Sequence, residues 1–394
     1  MTGSVGISVR ALPYLDDGYF GRGVTRTLGA HLDRLGVERL AVVRCGESYG
    51  RCGAAERVDD ATVDRKVRYL RASSLRTTVE QARAAIDLVR DFHADAVLGI
   101  GGGNALDLAK VAATFAHAPD EFDRCLADPQ GVRPESRPLR LLLVPTTAGS
   151  GSEATGFATL WQGARKISVD GPALRADIAL VDPGLTWTTD PSTFASAAVD
   201  ALAQAVEAGW SRQATPESTR YATESYAELT GALDAITRDG RDAVLEDRLS
   251  WGATLAGAAI DIARTTAAHA LSYALTYRCG LPHGAAVGLC LPWVIQHNAA
   301  IVTPPPSANV DPLRIVAALL SYGRFPTSPA ELDIEPSVLR RDWTAVLASD
   351  RARNNPRPLR QADVEQLAST VGRRIPADVR RTTSDHETHR RQGD

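Results

Sequence analysis

The chain has 394 residues, 44% of them hydrophobic and 23% charged, with a formal net charge of −3. Those proportions exclude a disordered, collagen-like or coiled-coil chain, and at about 150 residues per domain the length suggests two to three domains. The near-neutral balance gives no electrostatic reason to expect nucleic acid or an anionic membrane as partner. Five cysteines without a CxxC pair predict reduced thiols and a cytoplasmic protein. No secretory signal pattern opens the chain, and no apolar run of about 18 residues predicts a membrane span. Lysine occurs only as Lys66, Lys110 and Lys166, so a lysine inside a motif stands out.

Strands and helices alternate in the first half. A helical stretch at 24–35 ends at Gly36, and a β-prone run follows at 39–44. Val79, Ala82, Ile86 and Val89 recur at helical spacing and predict a helix over 78–93. A buried strand at 94–100 then enters Gly101, Gly102, Gly103 and Asn104 and leaves as a helix over 105–116. Another buried strand, 141–144, stops at Pro145. This alternation predicts an α/β domain with a mostly parallel sheet over 1–190. Alanine- and leucine-rich helical stretches at 196–208, 218–236, 246–277 and 285–295 predict an all-α domain over 191–376. The polar end, 377–394, is expected to be a disordered tail in which His386 and His389 are solvated.

Two strand ends carry the chemistry of phosphate binding. Glycines let backbone amides approach a phosphate closely, and the following helix N-terminus adds favourable partial charge. The Gly101–Gly103 spacing is neither the dinucleotide nor the Walker pattern, so a plain strand-to-helix turn is the competing reading. Asp107 and Lys110, one turn apart, form a surface ion pair or reach back toward a cofactor. The second loop, with Thr146, Thr147 and Ser150, offers hydroxyls and amides at the next strand end, where open α/β sheets bind ligands.

Five segments, GGGNALDLAK, PTTAGSGSEAT, ALVDPGLTWTTDP, AAVDALAQAVEAGWS and HALSYALTYRCGLPHG, follow the order and spacing of a known family. From about residue 90 to 300 the chain resembles the iron-containing (group III) alcohol dehydrogenases, whose architecture is shared with dehydroquinate synthase. The resemblance implies an N-terminal dinucleotide-binding domain, a helical C-terminal domain, a divalent metal such as iron or zinc between them, and a homodimer. It puts Gly101, Gly102, Gly103 and Asn104 along the pyrophosphate of NAD(P)H. Asp107 and Lys110 then lie beside the cofactor, and Thr146, Thr147 and Ser150 near its nicotinamide half. Asn104 stands where the family usually has serine.

The same resemblance assigns the metal positions to Asp200, Gln204, His269 and His283, with Gln204 where the family has histidine. Asp200 and Gln204 share a helix face at i,i+4. On one straight helix His269 and His283 would be roughly 20 Å apart. Helix-breaking residues at 279–282 allow the chain to turn back. An amide is a poorer donor than imidazole to a transition metal, which leaves three readings. A metal is held by Asp200, His269 and His283 with water or Gln204, a different metal is used, or His269 and His283 act as proton donors without metal. Tyr273, where many members have another histidine, is a candidate for hydrogen bonding the substrate oxygen or is simply core.

Around the metal positions and at RNNPRPL the sequence looks most like the phosphonoacetaldehyde reductases. That likeness implies a small anionic aldehyde as substrate, with Arg264 and Arg357 as candidates to bind its phosphonate or carboxylate. At the cofactor's ribose, Arg44 favours NADPH while Glu47 keeps NADH open. Rival expectations are a metal-free ketone or maleylacetate-type reductase, a carbocyclic lyase, and a non-catalytic relative. The scarcity of lysine counts against the lyase.

Overall fold

The computed structural model describes residues 9–73, 75–302 and 311–371. The expected tail, 377–394, lies outside the described residues. Among the described residues nine strands form in chain order: β1 (Arg10–Ala11), β2 (Gly18–Phe20), β3 (Arg39–Arg44), β4 (Lys66–Arg71), β5 (Ala96–Gly101), β6 (Arg140–Pro145), β7 (Phe157–Gln162), β8 (Arg165–Asp170) and β9 (Ile178–Val181). Seven make one sheet in the order β1-β2-β9-β6-β5-β3-β4, parallel except where β1 meets β2. β5 and β6 are central, and their continuous apolar runs suit strands covered by helices on both faces.

Chain direction across the sheet decides where a ligand fits. From β3 the chain moves outward to β4, whereas from β5 it moves the other way to β6. The strand order therefore reverses between β3 and β5, and open α/β sheets leave a crevice at the carboxyl ends of such strands. The amide of Cys45 donates to the Ile100 carbonyl at 3.1 Å, and that of Thr146 to the Gly101 carbonyl at 2.9 Å. These bonds tie the three strand ends together. A separate antiparallel hairpin, β7 and β8, turns at Gly163 and was not visible in the sequence pattern.

Beyond Pro191 the described residues are helical. The Pro191–Trp210 helix starts on Asp190, whose carboxylate caps the amides of Ser192 and Thr193 at 3.1 and 3.0 Å. It is mostly apolar and lies in the helical core with Ala198, Ala201 and Ala205 fully buried. Asp200, Gln204 and Glu207 are the buried polar residues along its middle, spaced four and three apart.

The sequence predicted one helix over 246–277. The structure has two, Ala243–Ala263 and Ala267–Arg278, because Arg264 takes a left-handed φ of 61°. Tertiary partners hold the break open. Asn354 Nδ2 donates to the carbonyls of Ala263 and Thr265 at 2.9 and 3.1 Å, and the Ser211 hydroxyl donates to Ala263 at 2.6 Å. The predicted turn after Cys279 forms as expected, with Gly280 at φ 65° and a new helix, His283–Asn298, beginning just after Pro282.

Candidate active site

A cavity of about 720 Å³ opens between the strand ends and the helical half. Gly102, Gly103, Asn104, Thr146, Thr147 and Ser150 line it on the sheet side, with Asp107 behind them. A side chain on Gly103 would put its Cβ 2.8 Å from the Ser150 hydroxyl, so the two loops approach this closely only because Gly103 is bare. Asn104 Nδ2 donates to the Ser73 carbonyl at 3.2 Å, which fixes the start of the Gly103–Phe115 helix. Asp107 accepts from the Ser152 hydroxyl at 2.6 Å and the Thr159 amide at 2.8 Å, so it positions the second loop and β7.

Two of the residues expected at the cofactor do not line this cavity. Lys110 is fully buried and donates to Thr155 Oγ1 at 2.8 Å and the Phe157 carbonyl at 2.9 Å. It faces the core because its helix packs that side against the chain entering β7. Gly101 packs the strand ends, where an added Cβ would stand 2.8 Å from that of Ala105. Around the end of β3, Glu47, Arg51 and Arg71 line the cavity. Arg44 does not, since its guanidinium lies 5.1 Å over the Tyr49 ring.

Asp200, His269 and His283 meet on the helical side, with one ligand atom from each within 4.8 Å of the others. His269 Nε2 is 3.1 Å from Asp200 Oδ1. Its Nδ1 pairs with Glu207, a fully buried carboxylate that also accepts from Thr266 Oγ1 and the Ala268 amide, both at 2.7 Å. A second-sphere carboxylate of this kind fixes the imidazole's orientation and raises its basicity as a ligand. Burial opposes charge on His269, but Glu207 and Asp200 outweigh it and lift the imidazole to about 9. His283 differs. Burial, with Lys166 near by, holds it well below the ordinary histidine value, so it is neutral and its lone pair is available.

Gln204 donates from Nε2 to the Ser150 carbonyl at 3.3 Å, while its Oε1 is buried without a hydrogen-bond partner among the described residues. A buried amide oxygen with nothing to accept from is costly unless a cation or water meets it. Two imidazoles, one carboxylate and one orphaned carbonyl oxygen make a donor set that fits a divalent first-row metal. The helices approach closely here because of Gly284. A Cβ on it would fall 1.8 Å from the Ser196 carbonyl oxygen and 3.0 Å from the Asp200 Cβ. Gly284→Ala should therefore cost about 3 kcal/mol or more of stability and push His283 away from Asp200. Urea unfolding measures the first effect, and metal content of the folded fraction measures the second.

Tyr273 lines the cavity with its ring stacked on His283, centroids 6.1 Å apart, and its buried hydroxyl has no hydrogen-bond partner among the described residues. Burial would raise the phenol's pKa, but Arg351, Lys166 and His269 together bring it below the ordinary tyrosine value. The two arginines expected to bind substrate lie elsewhere. Arg264 is ion-paired with Asp170, and Arg357 donates to the His297 carbonyl at 2.8 Å; neither lines the cavity. The left-handed backbone at Arg264 turns that side chain toward β8, and Arg357 is drawn to the end of the His283–Asn298 helix. Sequence reasoning missed Glu207, Trp161, Lys166 and Arg351. Only Glu207, a second carboxylate in a mostly apolar helix, and Lys166, one of three lysines, carried a visible signal.

Comparison with known proteins identifies the family. The iron-containing alcohol dehydrogenase domain matches residues 17–183, and the C-terminal domain of the same family matches 194–331. A phosphonoacetaldehyde reductase of Streptomyces viridochromogenes is 40% identical over 233 residues, 57% of this chain and 58% of that protein. Long-chain-alcohol dehydrogenase 1 of Geobacillus thermodenitrificans is 36% identical over 223 residues, covering 56% of this chain and 55% of its own length. The chain thus aligns with somewhat over half the length of these relatives. The crystal structure of a sulfoacetaldehyde reductase from Bifidobacterium kashiwanohense, in complex with NAD+, superposes with a TM-score of 0.77 at 23% identity, covering 93% of this chain and 100% of that one. Two family domains in tandem over most of the chain leave no ambiguity: it belongs to the iron-containing alcohol dehydrogenase family.

Proposed function

We propose that the chain reduces a small anionic aldehyde to the alcohol with NAD(P)H, phosphonoacetaldehyde to 2-hydroxyethylphosphonate being the best candidate. One observation carries the reading: the glycine-rich strand ends and the Asp200, His269 and His283 cluster line a single cavity. The relative at 40% identity supports the choice of aldehyde.

Gly102, Gly103 and the amides of the following helix would hold the pyrophosphate, with Thr146, Thr147 and Ser150 toward the nicotinamide. Asp200, His269, His283 and the Gln204 carbonyl would hold a divalent iron or zinc. When bound, the nicotinamide supplies hydride and the metal polarises the aldehyde oxygen. The protein's own groups then orient and neutralise. Glu207 keeps His269 from turning, and Asp200 contributes the negative charge that a cation needs. The Tyr273 hydroxyl, which lines the cavity without a hydrogen-bond partner among the described residues, would hold the proton that the product alkoxide takes up.

The test is NADPH and NADH oxidation by the purified protein on a panel of short aldehydes, with the product identified by phosphorus NMR. We expect kcat/KM for phosphonoacetaldehyde to exceed that for propanal by about 100-fold or more, the worth of one or two charge-assisted contacts. Equal values would remove the anionic substrate from the reading, and no turnover of any aldehyde would remove the reductase.

A further inference from the structure

Trp161 on β7 and Lys166 on β8 are direct cross-strand partners, so the hairpin presents both on one face, and both line the cavity. The Lys166 ammonium lies 4.0 Å from the centroid of the Tyr273 ring, which itself meets Trp161 edge-on at 6.5 Å. Arg351 enters the same cavity from the Asp350–Arg353 turn. Its Nη1 donates to Thr265 Oγ1 at 2.6 Å, and the neighbouring Asn354 pins that turn to the helix break at 263–265. The site is thus built on the hairpin and on the break, two features that the sequence pattern did not reveal.

Neither Lys166 nor Arg351 has an acidic partner among the described residues, whereas several other covered cations do. Lys110 has Asp107 at 3.8 Å, Arg137 has Asp177 at 2.5 Å and Arg241 has Glu246 at 2.6 Å. Arg76, its guanidinium 5.3 Å from the Trp161 ring centroid, adds a third cation to the lining, and its Nη1 is buried without a hydrogen-bond partner among the described residues. Cations crowded into a low-dielectric cavity repel one another, and a divalent metal on Asp200, His269 and His283 would add to that cost. Asp200, the carboxylate of the metal-ligand cluster in this cavity, is already engaged by His269. Two cations without an acidic partner, lining the cavity together, are suited to receive an anion that enters it.

We propose that Lys166 and Arg351 form the receptor for the oxyanion head of the substrate, holding its aldehyde carbon toward Asp200, His269 and His283. This rests on the reductase reading above and names the residues that select its substrate. Arginine supplies a planar fork and lysine a point charge, a combination suited to a phosphonate, sulfonate or carboxylate. Trp161 and Tyr273 wall the space beside Lys166, which favours a short linker between head and carbonyl.

The test compares the parent with Lys166→Met and Arg351→Met on phosphonoacetaldehyde, sulfoacetaldehyde, succinic semialdehyde and propanal. The readout is the ratio of kcat/KM for each charged aldehyde to that for propanal, which a merely structural role would leave unmoved. In each variant the ratio for the preferred anion should fall by roughly 10- to 100-fold, mostly through KM. Lys166→Arg should recover part of it. Calorimetric titration of methylphosphonate gives a readout independent of turnover, and its affinity should weaken by a similar factor. A high ratio in the parent that survives both substitutions overturns this assignment and leaves the reductase reading intact. A parent ratio near one instead overturns the anionic substrate itself, and with it the receptor. Lys166→Gln and Arg351→Gln decide the matter if a methionine variant fails to fold.

Discussion

Gly102→Val should weaken NADH and NADPH binding by at least about 100-fold while the protein folds as before. Gly102 precedes the Gly103–Phe115 helix with φ −76° and ψ 178°, an extended conformation that any residue adopts. An added Cβ finds the Thr147 hydroxyl at 3.4 Å and its methyl at 3.6 Å, with nothing closer. The core therefore has little to lose. The cavity loses a great deal, because Gly102 and Thr147 both line it and a branched side chain would stand where the proposed reading has phosphate meet the helix amides. Removing two charge-assisted contacts and the approach of the helix end accounts for about 3 kcal/mol, the equivalent of 100-fold. The neighbouring glycines provide the control. A Cβ on Gly101 would be 3.0 Å from that of Cys45, and one on Gly103 2.8 Å from Ser150 Oγ, so those valines should lower stability as well. Fluorescence titration with NADH, beside thermal unfolding, separates the two effects. Parent-like affinity in Gly102→Val would place the pyrophosphate elsewhere.

Much of this was legible because it is written in local pattern. β5 and β6 are unbroken apolar runs ending in glycine or proline, and the turn before His283 is marked by Gly280 and Pro282. The interruption at Arg264 has no such mark. Arg-Thr-Thr is not a strong breaker, and the break depends on Asn354, some 90 residues away in sequence. The hairpin of β7 and β8 was hidden for another reason. Its alternation is weakened by polar residues, Thr159 and Lys166, that turn toward the cavity.

Charge in the site was harder still. Every arginine looks alike in a sequence, and which one is free to bind an anion depends on which carboxylate the fold sets beside it. Asp170 claims Arg264, while no acid among the described residues claims Arg351. Glu207 could have been suspected, since a carboxylate in the middle of an apolar helix must be paired. Its partner was a residue already singled out, His269, across a distance of 62 residues in sequence.

Chelation should lower turnover by on the order of a thousandfold, which returns on adding Zn2+ or Fe2+, because Lewis-acid polarisation of a carbonyl is worth several kcal/mol. The donor set makes the further outcomes specific. Gln204 offers an uncharged carbonyl oxygen where imidazole would bind more strongly, so Gln204→His should raise metal occupancy after dialysis and leave the fold intact. The Ser150 carbonyl loses only a 3.3 Å hydrogen bond in that exchange. Glu207→Gln should act in the opposite direction. His269 would keep a neighbour but lose the carboxylate that fixes its ring, and metal affinity should fall about 10- to 100-fold. Elemental analysis and competition with a chromophoric chelator read both variants without reference to activity. Metal should also raise the unfolding free energy of the parent by about 2.7 kcal/mol at a hundred times its dissociation constant. If the parent binds no ion, turns over unchanged after exhaustive chelation and gains no stability from metal, Asp200, His269 and His283 are a proton-handling cluster. The neutral His283 and the unpartnered Tyr273 hydroxyl are then the groups whose removal should stop the reaction.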